Sequence, residues 1–358
     1  MALMELEGKP DLEEAFSRVE AWFNHESLER PLVRFSEHNA EFASSRPLDG
    51  YNWPDLKARW FDAEFQVDQF MESIRGRTFH GETFPMFFPN LGPNVYAAFH
   101  GLELEFGEVT SWIRHVVRDW DDLNRLKFSW ENEYFQGLEN LTRVALEKCS
   151  GKFWVGYTDL HGSLDCVADW RDPQQLCLDI FDNPEKVHAM LRLANENFLP
   201  VFDHYDDVLK AHSLPSITWM GIPSRGKVHI TSCDFTALTS TETFCEFYFP
   251  SLQNEVRHMT HNIFHVDGVG VLHHLDHILS VPQIQAIQWV QGVGDDLPIL
   301  QWLPVIKRIQ AAGKGVIVDL QLDELEPFIA AMKPDGLYLC IAAEENIQPD
   351  ILKRLTKW

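Results

Sequence analysis

The C-terminal third of the chain repeats one pattern four times. Apolar runs NIFHVD (262–267), IQAIQWV (284–290), KGVIVDL (314–320) and GLYLCIA (336–342) alternate with stretches of helical periodicity, and their centres fall near 264, 287, 317 and 338. That spacing leaves room for a helix between successive strands, which forces parallel pairing through right-handed crossovers. The intervening helices have recognisable ends: LPILQWLPVIKRIQAAG closes on basic residues and Gly313, and LDELEPFIAAMKPDG stops at Lys333 and Pro334. The class is therefore α/β.

Upstream, residues 11–24 place Leu12, Ala15, Phe16, Val19, Trp22 and Phe23 on one stripe of an amphipathic helix that has to dock on something. RPLVRF (30–35) follows as a first strand, and GKFWVGYTD (151–159), SITWMG (216–221) and KVHITSCDF (227–235) add further strand candidates. The segment DNPEKVHAMLRLANENFLPVFDHY (182–205) supplies both a helix start and helical periodicity. With about eight strands in all, the expectation is a single (β/α)8 TIM barrel over 31–358, preceded by an N-terminal helical extension over 1–30. Residues 36–150 read as long, aromatic-rich connections, and the stretch 79–99 fits an apolar pocket lip or core packing equally well.

Composition narrows the partners. With 30 Lys and Arg against 54 Asp and Glu the formal charge is −24, which repels phosphate backbones and anionic membrane surfaces, so no nucleic-acid or membrane partner is expected. No apolar run reaches the roughly 18 to 20 residues needed to span a bilayer. The six cysteines form no CxxC pair and the N-terminus MALMELEGKPDLEE lacks the pattern of a secretion signal, so reduced thiols and a cytoplasmic location are expected.

In a barrel of this type reactive groups gather at the C-terminal ends of the strands. His265 and Asp267, two apart on one strand, point to the same side, and burying two ionisable groups on adjacent inward positions is costly unless they pair or ligate. The same placement brings Asp159 and His161 (TDLHG), Cys233 or Asp234 (TSCDF), Gln291 (WVQG), Asp319 (IVDL) and Cys340 (LYLC) to the rim. His273 and His277 are four apart, but His274 stands where a zincin carries its glutamate, so a metalloprotease is not supported and a solvated helix start fits better. The HxH opening of an amidohydrolase site does not occur in the chain.

The series ERPLVRF, PNLGP, TDLHGSLD, LCLDIFDNPEKVH, TSCDFTALTSTETFCEFYFP, IFHVDG, IQAIQWVQGVG and IQAAGKGVIVDL resembles the uroporphyrinogen decarboxylase superfamily, nearest to the uncharacterised relatives grouped with cobalamin-dependent methyltransferases. The resemblance covers almost the whole chain and implies a (β/α)8 barrel with its cleft at the strand ends, and a homodimer. Porphyrinogen decarboxylases carry an RQAGR segment that holds substrate carboxylates; the matching place here reads RFSEHNAEF, with only Arg34 close by. Corrinoid methyltransferases carry zinc on His-x-Cys and a distal Cys. The resemblance therefore implies a zinc site of His265, Asp267 in place of the first cysteine, and Cys340. Exchange of sulfur for oxygen hardens such a site and moves the expected substrate from a thiol toward an oxygen-bearing group. DLHGSL (159–164) approaches the corrinoid signature D-x-H-x-x-G without its last glycine, so any cobalamin is expected on a partner protein.

The leading expectation is thus an enzyme that moves a methyl group between a small substrate and a corrinoid protein. His265, Asp267 and Cys340 would hold the metal, Asp159 and His161 would transfer protons or orient substrate, and Arg34, Asp234 and Gln291 would bind substrate. The alternatives are a cofactor-free decarboxylase or lyase, in which Asp234 or Asp267 stabilises developing positive charge, and a non-catalytic binding protein on the same fold.

Overall fold

The computed structural model of the protein describes residues 4–36 and 51–358. Among these, eight strands run in parallel pairs: β1 (Leu32–Ser36), β2 (Met86–Phe87), β3 (Trp154–Val155), β4 (Val228–Thr231), β5 (His261–Asp267), β6 (Ala286–Val290), β7 (Gly315–Leu320) and β8 (Leu337–Ala342). Six of them form one curled sheet in the order β1-β8-β7-β6-β5-β4, and β2 pairs with β3 separately. The four C-terminal runs are β5 to β8. They are buried on both faces almost throughout, as parallel strands under helices must be.

The expected eight-strand ring is met in part, because the ladder is interrupted on either side of the β2–β3 pair. Between β1 and β2 the links are Glu82 N–H to the Val33 carbonyl (2.7 Å) and Phe35 N–H to Thr83 Oγ1 (2.8 Å). Between β3 and β4 the Tyr157 hydroxyl donates to the Val228 carbonyl at 2.7 Å. Pro85 and Pro89 flank β2 on its β3 side and, having no N–H, keep the β2–β3 pairing short. Other expectations shift similarly. SITWMG forms an antiparallel hairpin, Ser216–Ile217 with Pro223–Ser224, rather than a barrel strand, and 182–205 splits at Asn197 into helices Pro184–Glu196 and Phe198–Ala211.

Helix α1 (Leu12–Phe23) buries all six residues of its predicted stripe, the five larger than alanine each worth about 1.5 to 3 kcal/mol. It seats at the N-terminal ends of the strands, where Trp22 Nε1 donates to the Gly336 carbonyl at 2.8 Å and Phe23 stacks on His261 with ring centroids 4.2 Å apart. Gly315 makes this approach possible, since a Cβ there would lie 2.8 Å from the Trp22 indole. The other end of the strands is left open, and β5 turns away there at Gly268 (φ +72°), whose N–H returns to the Val290 carbonyl. No described helix is long and apolar enough to cross a membrane.

Candidate metal centre

His265 and Asp267 stand on one face of β5, and the register sets Gln288 of β6 beside His265 and Val290 beside Asp267. The third member comes from the 3-10 turn Asp234–Leu238 that follows β4. Asp165, in helix α2 (Ser163–Arg171), pins that turn by accepting from the backbone N–H groups of Asp234 (3.0 Å) and Phe235 (2.9 Å). As a result one donor atom each from Asp234, His265 and Asp267 lies within 4.8 Å of the other two. Opposite ligands on a divalent ion with bonds of ~2.1 Å stand about 4.2 Å apart, so small side-chain movements close the group on a cation.

The imidazole is oriented for this. His265 Nδ1 lies 2.7 Å from the Gln288 amide oxygen, an acceptor, so Nδ1 carries the proton and Nε2 keeps its lone pair for a ligand. The electrostatics also call for positive charge. Burial of its carboxyl by surrounding protein, with the neighbouring Asp165 charge second, pushes Asp234 up to about 6, although the residue as a whole is exposed and His161 and His265 pull the other way. The set of two carboxylates and one imidazole is a hard one, suited to Mg2+, Mn2+ or Zn2+ rather than to a thiophilic ion.

Beside this group a second line runs through the mouth. Asp159 Oδ2 accepts from His161 Nε2 at 2.8 Å, and His161 Nδ1 lies 2.9 Å from Ser232 Oγ and 3.8 Å from Asp165 Oδ2. The arrangement has the outline of a serine–histidine–aspartate nucleophile, but the charge state opposes that use. Burial disfavours the imidazolium, yet Asp159 and Asp165 outweigh it and hold His161 well above its usual range. Both carboxyls stay below theirs, burial being overcome by the histidine. A histidine that keeps its proton donates hydrogen bonds and does not act as a base toward Ser232. Asp159 Oδ1 is buried without a protein partner, which leaves one carboxylate oxygen for substrate or water.

The opposite wall holds Arg34, Cys340 and Asp319, aligned across β1, β8 and β7. Cys340 lies outside the donor group: β8 is separated from β5 by two strands, and the thiol is set against Arg34 and Asp319 instead. Burial, and then the Asp319 charge, push that thiol up to about 12 against the pull of Arg34. Asp234 therefore takes the place expected for Cys340. Gln291 is buried and spends its amide N–H groups on the carbonyls of Leu297 (2.8 Å) and Asp319 (3.3 Å), which leaves Oε1 without a protein partner.

The histidine run departs from the expected solvated helix start: His273 is exposed, but His274 is fully buried at the end of a 3-10 turn and stacks on Phe244. His273 and His274 bond to the carbonyls of Thr239 and Thr236, and His277 stands 3.8 Å from the Cys245 thiol. The aromatics of 79–99 are mainly core, with Phe79, Phe84, Phe87, Tyr96 and Phe99 all buried. Cavities of about 750 and 710 Å3 exist away from the centre, the first between residues 53–69, 87–90 and 108–109, the second beneath α1 at the far end of the strands. The candidate donor group lies at the strand ends and lines neither cavity.

Sequence reasoning missed Asp165, Ser232 and Gln288. Asp165 stands four residues after His161, one helical turn on, and Gln288 is the polar residue in the middle of the otherwise apolar IQAIQWV. Both signals were present in the sequence. In comparisons with known proteins, no family model matches the chain and no curated protein matches it significantly.

Proposed function

We propose that this protein is an enzyme of the uroporphyrinogen decarboxylase superfamily, a complete (β/α)8 barrel in which Asp234, His265 and Asp267 hold a divalent cation. In this proposal the enzyme moves a methyl group between a small substrate and a corrinoid on a partner protein. The observation that carries the reading is the convergence of the three donors at the strand ends, with His265 Nδ1 tied to Gln288 so that Nε2 faces a ligand. The eight parallel strands and the hydrogen bonds that bridge both interruptions support the barrel.

When bound, a divalent ion would act as a Lewis acid toward a substrate oxygen or nitrogen. The chain's own residues do the rest. Arg34 offers a guanidinium to a substrate carboxylate on the far wall. As the bond between methyl and heteroatom breaks, the electron pair stays on the heteroatom, and His161 stands as its proton source. The reduced corrinoid of the partner would supply the nucleophile that accepts the methyl group.

The test is calorimetric titration of chelator-stripped protein with Mn2+ and Zn2+, beside the visible spectrum of methylcobalamin mixed with candidate substrates. Binding that is lost in His265→Ala and in Asp234→Asn is expected. A protein that takes up neither ion sinks the metal part. One observation favours a second reading, decarboxylation without a metal: the imidazolium of His161 is bracketed by two carboxylates at the same mouth. Loss of CO2 leaves an electron pair on carbon, which His161 would protonate. Activity that survives complete removal of metal selects this alternative.

A further inference from the structure

The rim of the mouth carries a feature that neither chemistry uses. Each of the four loops that follow β4, β5, β6 and β7 exposes a large apolar side chain: Leu238 (64% exposed), Val269 (50%), Val293 (85%) and Leu322 (41%). These loops form one connected surface. His273 Nε2 bonds to the Thr239 carbonyl, Gly268 N–H to the Val290 carbonyl, Gln291 Nε2 to the Asp319 carbonyl and Ile299 N–H to Glu324 Oε1. Single exposed apolar residues are ordinary; one in each of four neighbouring, hydrogen-bonded loops at the same end of a sheet sets a row of apolar points along one rim, where association would cover them.

The charge on these four loops is of one sign, while Arg34 and His161 supply the cations of the mouth below. The stretches 232–240, 267–274, 291–298 and 319–324 contain no Lys or Arg. Asp295, Asp296 and Asp323 are exposed there, and the carboxylates of Asp234, Asp267 and Asp319 line the mouth below. Cations gather at the opposite end, where Arg30, Lys307, Lys314 and Lys333 line the cavity beneath α1. A surface that is apolar at its points and anionic between them complements a face that is apolar and cationic.

We propose that the rim is a docking surface for a protein partner whose contact face is basic and bears apolar side chains at its centre. The inference holds whichever reaction the mouth performs, since it rests on the loops and not on the metal donors. A partner seated there would close the opening above Asp234 and His265, placing whatever group it carries directly over the site.

The experiment uses the full chain and a fluorescent 18-residue amphipathic peptide of Lys and Leu (about five helical turns), with two control peptides of the same pattern, Glu for Lys and Ser for Leu. Fluorescence anisotropy is expected to show binding of the Lys/Leu peptide alone, weakening as salt rises. About a tenfold loss is expected in Leu238→Ser/Val293→Ser/Leu322→Ser, and a similar loss in Asp295→Asn/Asp296→Asn/Asp323→Asn. Asp182→Asn/Glu185→Gln/Asp350→Asn removes equal charge elsewhere and is expected to bind as the parent does. His265→Ala is expected to bind the peptide normally even where it has lost metal, which separates this inference from the metal proposal. Three results overturn it: rim variants that bind like the parent, a Lys/Ser peptide that binds as tightly as Lys/Leu, or light scattering that finds a dimer broken by the apolar rim variant, which would make a second copy the occupant. The substituted side chains are exposed, and unchanged circular dichroism confirms that the variants fold.

Discussion

The two ends of the same parallel strands are built on opposite principles. At the N-terminal end the buried charges are spent on structure. Glu82, fully buried, accepts from Arg18 Nε (2.6 Å), from both terminal nitrogens of Arg30 (3.0 and 2.9 Å) and from the Val33 N–H (2.7 Å). Lys9 donates to the carbonyls of Phe79 and Gly81 and pairs with Asp11, although burial lowers its proton affinity. Lys314 caps the Val281 and Ile284 carbonyls. At the C-terminal end, by contrast, Asp234 is driven toward protonation, Asp159 and Gln291 keep orphan oxygens, and apolar side chains stand in solvent. The difference teaches where to look for function: buried ionisable groups paired with one another support the fold, and carboxylate and amide oxygens left without partners beside a donor group mark the end to test for a ligand.

The largest effect that sharpens this contrast is Glu82→Gln. It leaves the buried Arg30 guanidinium short of its anion and takes from Arg18 one of three carboxylate partners, and a loss of about 3 to 5 kcal/mol is expected in chemical denaturation. A variant that unfolds at the parent's denaturant concentration would break the comparison from the structural side. Next comes Gln288→Ala at the functional end. Without its amide to fix the His265 tautomer, affinity for a divalent ion is expected to fall about 10- to 100-fold by calorimetry, with little change in stability. Equal affinity would show that Gln288 only fills space.

A smaller effect depends on pH. His161 has a raised pKa in the folded protein, so the stability it contributes is fully present below its unfolded pKa of about 6.5 and is lost as pH rises through the folded value. The parent is therefore expected to exceed His161→Gln by about 1.5 kcal/mol near pH 6, the difference shrinking in alkaline solution. A gap that widens with pH would reverse the assigned charge state. The smallest expected effect is that of Cys340→Ser, whose metal affinity should match the parent's because the thiol lies outside the donor group. A clear loss would restore Cys340 as a ligand.

How far these features can be read from sequence varies along the chain for physical reasons. Strands β5 to β8 are covered on both faces, so each is a near-continuous apolar run and its position is plain. Strands β2 and β3 have two residues each: β3 lies within GKFWVGYTD, whose apolar run marks it, whereas β2 stands between two prolines in a stretch too short to leave a periodic signal. At the site, His265 and Asp267 were legible because the two-residue period of a strand fixes their common face. The third donor was not. Choosing between Asp234 and Cys340 requires knowing how far one strand is shifted against another across the sheet, and that register is set by packing, which a single sequence does not record. Gln288 escaped for a related reason: a lone polar residue in a buried strand declares itself only once its neighbour across the ladder is known.

The interruption between β3 and β4, spanned by the Tyr157 hydroxyl, has a mechanical consequence. A wall joined there by a side chain in place of a main-chain ladder opens at lower cost than its neighbours, so amide deuteration should enter the sheet along the β4 edge first. Since Asp234 hangs from the loop that leaves this same strand, a cation that binds the centre would slow that exchange, and the seam would report occupancy from outside the mouth.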